Sequence, residues 1–259
     1  MGKTSLAEAV AGEMGLGVEP RASSLSLRRP CHPEGAGFHV VCGPLLREPE
    51  DLLDRLALVR DGDILFVDEI HRMPARVAET LYAAIDTGRR FTLIGATTDE
   101  DLVPAPLRSR FRIRADLEFY SVQELMEILR RETGRFGLGI DDDAALLLAS
   151  ASHDTPRDAL SLLCTARDEA EIRDRSTIDV EIASTVLNSL GIDEHGFCRI
   201  QREFLTALNG AGGPLSLGTL ADRLGKSAYA IKTVHEPFLI RRGLVARTSR
   251  GRVLLKRMP

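Results

Sequence analysis

Apolar residues run unbroken through Ile64-Leu65-Phe66-Val67, bounded by Gly62-Asp63 on one side and Asp68-Glu69 on the other. A short continuous run of this kind predicts a central parallel strand covered on both faces. Elsewhere the apolar positions recur at helical spacing. Leu6, Val10 and Met14 predict a helix over 4–14. Leu52, Leu53, Leu56 and Val59 predict one over 50–59, with Pro49 suited to its first turn. Val77, Leu81, Ala84 and Ile85 predict one over 74–85. Residues 91–98 read as the next parallel strand, ending in the hydroxyls of Thr97 and Thr98. Between the first helix and Gly43, glycines, prolines and Ser23-Ser24 predict a loop.

The second half is helical and then changes character. Ser121, with Glu124 three positions on, forms a capping box, and Leu125, Ile128 and Leu129 line the helix it opens. Helices follow over 141–152, 157–173 and 177–187, a small all-helical unit. Past Gly191, helices over 202–208, 216–224 (ended by Gly225) and 227–241 precede a strand–turn–strand over 243–255. Three helices and a β-hairpin make the winged-helix plan, which puts a helix in the major groove of DNA and the wing on its backbone or minor groove.

Length allows one to three domains: 259 residues, 44% hydrophobic, with aliphatic cores because aromatics make up only 5% and Trp is absent. No apolar run approaches the ~20 residues of a membrane span, and Met1-Gly2-Lys3 is not followed by a signal-peptide block. A cytoplasmic protein is expected. Four cysteines in a chain this long do not make a disulfide framework. The charge is uneven. From Leu190 onward twelve Lys/Arg face five acids, a surplus of seven, so the net −4 of the whole chain leaves −11 for residues 1–189. An acidic body with a basic tail is a pattern expected of nucleic-acid binders, although a solvated basic face is the plainer alternative.

The chemistry starts from the acids after the central strand, because open α/β sheets bind ligands at that edge. Alone, Asp68 and Glu69 read equally well as two solvated carboxylates. Met1-Gly2-Lys3-Thr4 alters the balance, being the tail of a phosphate-binding loop. With phosphates nearby, Asp68 holds Mg²⁺ against them and Glu69 polarises the attacking water. Thr98 is placed to orient that water or to read the γ-phosphate, with helix capping as its alternative. Arg247, Arg250 and Arg252 cluster on the final hairpin, where arginines position a protein on phosphates without reading sequence; a soluble turn is the alternative. Cys31, His32, His39 and Cys42 offer four zinc-type ligands within twelve residues, but in no familiar spacing, so incidental loop residues compete with zinc.

Taken together, these segments resemble the RuvB family, AAA+ motors that drive Holliday-junction branch migration. The likeness rests on Gly2-Lys3-Thr4-Ser5-Leu6-Ala7 and on Leu65-Phe66-Val67-Asp68-Glu69-Ile70-His71-Arg72. It continues through Gly95-Ala96-Thr97-Thr98, Ala105-Pro106-Leu107-Arg108-Ser109-Arg110-Phe111, Leu117-Glu118-Phe119-Tyr120 and Thr155-Pro156-Arg157. It ends on Glu236-Pro237-Phe238-Leu239-Ile240 and Arg247-Thr248, then Arg250-Gly251-Arg252-Val253. The resemblance implies an α/β P-loop AAA+ ATPase domain over 1–118, a helical lid domain over 119–189 and a winged-helix domain over 190–259. It implies ATP and Mg²⁺ as cofactors. Gly2, Lys3, Thr4 and Ser5 would hold phosphates, Lys3 bridging β and γ, with Thr4 and Asp68 on the metal. Arg110 would be the arginine finger offered to a neighbouring subunit of a hexamer. Tyr120 would line the nucleotide pocket and Arg157 would be the second sensor. Arg247 and Arg252 match the family's DNA-contacting positions.

The chain also departs from the family pattern. It opens inside the phosphate loop, so the first sheet strand and the adenine-binding segment are expected upstream. Asp86-Thr87-Gly88-Arg89-Arg90 stands where the family has a β-hairpin that docks RuvA, which argues against the usual RuvA docking. The Cys/His stretch before Gly43 is an insertion. Two other function classes therefore stay open: a winged-helix DNA-binding protein with a defective ATPase, and an AAA+ switch that remodels another protein.

Overall fold

The computed structural model describes residues 2–13, 37–88 and 90–255. They form two compact units, Gly2–Leu117 and Glu118–Pro259.

The first unit is built on a parallel sheet in the order β1-β2-β3, with β1 Phe38–Cys42, β2 Ile64–Asp68 and β3 Thr92–Gly95. Ile64, Leu65, Phe66 and Val67 are wholly inaccessible, as expected of the central strand. Their side chains alternate. Ile64 and Phe66 meet α1 (Lys3–Glu13) through Ala11 and Ala7. Leu65 and Val67 enter the larger core with Leu52 and Leu56 of α2 (Pro49–Leu58) and Val77 and Leu81 of α3 (Ala75–Asp86). Each such burial contributes about 1.5–3 kcal/mol. The short helix α4 (Ala105–Arg108) adds Leu107 to the same core.

Three expectations change here. In α1 the buried face is Ala7 and Ala11, whereas Leu6 and Val10 are 46% and 39% exposed. Small residues win because they let a helix lie close on a flat sheet. The stretch read as loop up to Gly43 contains β1, whose FHVVC sequence pairs in register with β2 from Phe38↔Ile64 to Cys42↔Asp68; the glycines before it masked the strand. The third strand ends at Gly95, short of the expected 98, with Ala96 N–H donating to the Val67 carbonyl at 2.9 Å and the Ala96 carbonyl accepting from Ile70 N–H at 2.9 Å.

Asp63, buried ahead of β2, accepts hydrogen bonds from Gly37 N–H, from Arg60 N–H at 2.7 Å and from His39 Nε2 at 2.9 Å. Burial pushes its carboxyl up, but these donors outweigh burial and hold it below the usual range. His39 is thus committed to tying β1 to β2. Cys31 and His32 lie outside the described residues, and among the described residues no group of three or more His, Cys, Asp or Glu is placed to hold a metal.

In the second unit, α5 (Val122–Arg135) begins on the expected capping box: Glu124 N–H donates to Ser121 Oγ and the Glu124 carboxylate accepts from Ser121 N–H at 2.7 Å. Helices α6 (Asp142–Ser150), α7 (Pro156–Ile172) and α8 (Val180–Ser189) share one core with it. The unit is not purely helical, since β4 (Gly139–Ile140) and β5 (Thr177–Ile178) pair in parallel. The expected helix at 177 starts three residues later, where the Asp179 carboxylate caps it by accepting from Ile182 N–H at 2.9 Å.

A separate core joins α9 (Arg199–Ala211), α10 (Leu217–Leu224) and the third helix to the antiparallel hairpin of β6 (Val245–Thr248) and β7 (Gly251–Leu254). Gly225 ends α10 with φ of 58°, a conformation costly for other residues. The third helix is not uniform: α11 (Ala228–Ala230) runs into a π turn, Ile231–His235, and then α12 (Glu236–Arg241). Pro237 has no N–H for an α-type bond and would clash with the turn before it; the wider turn, with Glu236 N–H on the Ile231 carbonyl, absorbs the misfit. Among the described residues no helix is long and apolar enough to cross a membrane.

Candidate functional site

The end of β2 sets the site in the first unit. Asp68 closes the strand, and Glu69 follows with φ 51° and ψ 44°, left-handed and strained for a residue with a Cβ. Its N–H donates to its neighbour's Asp68 Oδ1 at 3.0 Å. Gly43 makes this turn possible: a Cβ there would stand 2.5 Å from the Glu69 carbonyl oxygen.

Side chains from three segments then converge. Thr98 Oγ1 donates to Glu69 Oε2 at 3.3 Å, and His71 Nε2 lies 3.6 Å from the same oxygen. The Thr97 hydroxyl lies within hydrogen-bond distance of both the Asp99 carbonyl, at 2.8 Å, and His71 Nδ1, at 2.9 Å. His71 is therefore fixed with Nε2 turned to Glu69. Lys3 Nζ donates to the Thr97 carbonyl, which brings the first turn of α1 to the same edge. Gly2, Thr4 and Ser5 share that turn, and a helix N-terminus favours bound phosphate. The Thr4 hydroxyl and the Asp68 carboxylate are hard oxygen donors of the type Mg²⁺ takes. Thr97 is expected from sequence only as one of two hydroxyls ending the strand, and His71 is given no role there; the signal that could have found it is its place two residues after Glu69 in the quoted motif.

Arg110 is held elsewhere in the same unit. Its guanidinium meets Asp86 in a fork, donates to the Pro106 carbonyl at 2.7 Å and lies over the Tyr82 ring at 4.9 Å. Phe111 packs against Gly95, where a Cβ would come within 2.9 Å of the ring.

Tyr120 and Arg157 belong to the second unit. Tyr120 packs on the lid core, and its N–H donates to the Asp154 carbonyl at 3.3 Å. Arg157 is exposed at the start of α7, and its side chain makes no ion pair or hydrogen bond among the described residues.

The wing arginines are engaged within the chain. Arg247 and Arg252 are direct cross-strand partners, which like charges disfavour. Between them sits the Glu236 carboxylate, wholly inaccessible, accepting from Arg252 Nε at 2.8 Å and Arg247 Nη2 at 2.9 Å. Burial raises the Glu236 pKa, and the two guanidiniums more than reverse it. Arg252 is only 15% exposed, Arg247 is 47% exposed, and Arg250 stands exposed in the hairpin turn. Glu236, unassigned from sequence, fixes the wing.

Known proteins match along the same divisions. Residues 1–119 match the AAA family (ATPase family associated with various cellular activities), 120–193 the RuvB AAA lid domain and 194–257 the RuvB C-terminal winged helix domain. The Holliday junction branch migration complex subunit RuvB of Thermosipho melanesiensis is 36% identical over 278 residues, covering 99% of this chain and 82% of the relative. That of Chlorobium limicola is 38% identical, covering 99% and 74%. The solved structure of the Thermotoga maritima RuvB Holliday junction branch migration motor superposes with a TM-score of 0.77 at 36% identity, covering 98% of this chain and 80% of that one. A nucleotide-type sheet edge, a lid, and a wing locked by its own buried glutamate thus occur in one order and one chain, and this chain belongs to the RuvB family.

Proposed function

We propose that the chain is an ATP-hydrolysing DNA motor that drives branch migration of Holliday junctions, in DNA recombination and repair. The observation that carries this reading is Glu69, held in a left-handed turn at the end of β2 with Thr98 on its carboxylate and Lys3 at the same edge. A carboxylate so fixed can orient and polarise a water attacking the γ-phosphate. Lys3 would leave the Thr97 carbonyl for the β- and γ-phosphates. Thr4 and Asp68 would hold Mg²⁺, which supplies charge neutralisation on the phosphates when bound. Arg110 would serve a neighbouring subunit, most simply in a hexameric ring. Tyr120 would flank the nucleotide, and Arg157 would close on the phosphates from the lid. Arg250 and the exposed part of Arg247 would carry phosphate contacts with DNA, while Arg252 supports them. Only five residues of sequence, 87–91, separate α3 from β3, so RuvA would not dock on a hairpin there. A cytoplasmic location goes with this reading.

The test is ATP turnover by the full chain with and without four-way junction DNA. Stimulated turnover that Glu69→Gln removes supports the motor. DNA binding without turnover returns the winged-helix-only reading, and nucleotide-dependent protein binding without strand exchange returns the switch.

A further inference from the structure

The turn Ser152-His153-Asp154, just ahead of α7, joins the lid to the winged helix more closely than packing alone requires. His153 and Asp154 both have positive φ, 51° and 61°. Two consecutive left-handed residues with side chains cost about 1–3 kcal/mol each and persist only where surroundings dictate them. The surroundings here come from the winged-helix part of the same unit. The His153 ring lies 4.1 Å from the Phe238 ring, and its Nε2–H donates to the Gly196 carbonyl at 2.8 Å. Arg241 donates to the His153 carbonyl at 3.1 Å, and Arg242 pairs with Asp154 Oδ1 at 3.1 Å.

On its other side the same turn reaches both lid residues read as nucleotide contacts. The Asp154 carbonyl accepts from Tyr120 N–H. Thr155, the next residue, caps α7 by accepting from Asp158 N–H at 3.2 Å, and Arg157 stands in that first turn. The Arg241 guanidinium also lies over the ring of Phe119, the neighbour of Tyr120, at 4.1 Å. The link back to the wing is short. Helix α12 begins with Glu236, which grips Arg247 and Arg252, and ends with Arg241. The grip on the wing at Glu236 and the contacts with the turn at Arg241 therefore lie on one six-residue helix.

We propose that Arg241, Arg242 and the turn 152–154 form a coupling joint through which DNA on the wing repositions Tyr120 and Arg157; this rests on reading those two as nucleotide contacts. His153, Asp154, Arg241 and Arg242 are positioning residues, touching neither DNA nor nucleotide. The test uses the full chain, a DNA duplex and amide hydrogen exchange over 119–124 and 152–158. Saturating duplex is expected to change exchange there about fivefold, the low end of couplings between sites. In Arg241→Ala/Arg242→Ala the duplex should still bind, by fluorescence anisotropy, and the exchange change should vanish. Asp154→Asn, which keeps a residue tolerant of the left-handed turn, should weaken it without moving the unfolding midpoint.

A response that survives in the double variant, or its absence in the native chain with duplex bound, overturns the joint. Failure of the duplex to bind the native chain overturns the motor reading and the joint with it. Binding of a fluorescent ATP analogue to Tyr120→Ala and Arg157→Ala decides the nucleotide reading separately: unchanged affinity there removes the joint's stated output.

Discussion

Arg110 and Asp86 hold each other through two parallel hydrogen bonds, Nε to Oδ1 at 3.1 Å and Nη2 to Oδ2 at 2.6 Å. The Arg110 fork keeps the Asp86 carboxyl below its usual range. The same fork is what a neighbour's γ-phosphate would need. Asp86→Ala should therefore raise ATP turnover of the assembled protein several-fold, while Arg110→Ala should lower it about 10³-fold or more. Turnover that falls in Asp86→Ala would mean that Asp86 presents the arginine instead of withholding it.

The wing depends on Glu236. Removing one partner from a buried ion pair costs about 3–5 kcal/mol, and the low end applies because Arg247 is half in water. Glu236→Ala should lose about 3 kcal/mol in urea unfolding and weaken duplex binding. The Glu236 pKa is depressed on folding. Its contribution is thus complete above the usual glutamate range and is lost as pH falls through the lower folded value. The acid limb of the stability profile should be shallower in Glu236→Gln, and identical limbs would refute the linkage.

Gly43 gives room for the Glu69 carbonyl. Gly43→Ala should destabilise the first unit by about 1–3 kcal/mol, because backbone on backbone has little freedom to give. Turnover should drop more than nucleotide affinity, measured side by side on the folded variant. Equal losses would place Glu69 outside the chemical step.

His71 orients Glu69 from one side while Thr97 fixes the imidazole. His71→Ala should lower kcat for ATP by up to about 10²-fold through misplacement of the carboxylate, with KM little changed. A raised KM with kcat intact would instead assign His71 to binding.

The apolar run of β2, the capping box at Ser121 and the glycine stop at Gly225 were legible in sequence, and the structure has all three. Each is local: a few adjacent residues carry the whole physical cause. The emergence of Asp68 and Glu69 at the strand end belongs with them. The covering of α1 did not, since a spacing of four fits Leu6 and Val10 as well as Ala7 and Ala11, and only contact with the sheet selects the small pair. The pairings of Glu69 with Thr98, His71 with Thr97, Arg110 with Asp86 and Arg252 with Glu236 join residues 16–29 apart. Sequence supplied the residue types. Strand register and the path of the turns supplied the partners, because a hydrogen bond is decided by tenths of an ångström between chain segments that no local pattern relates.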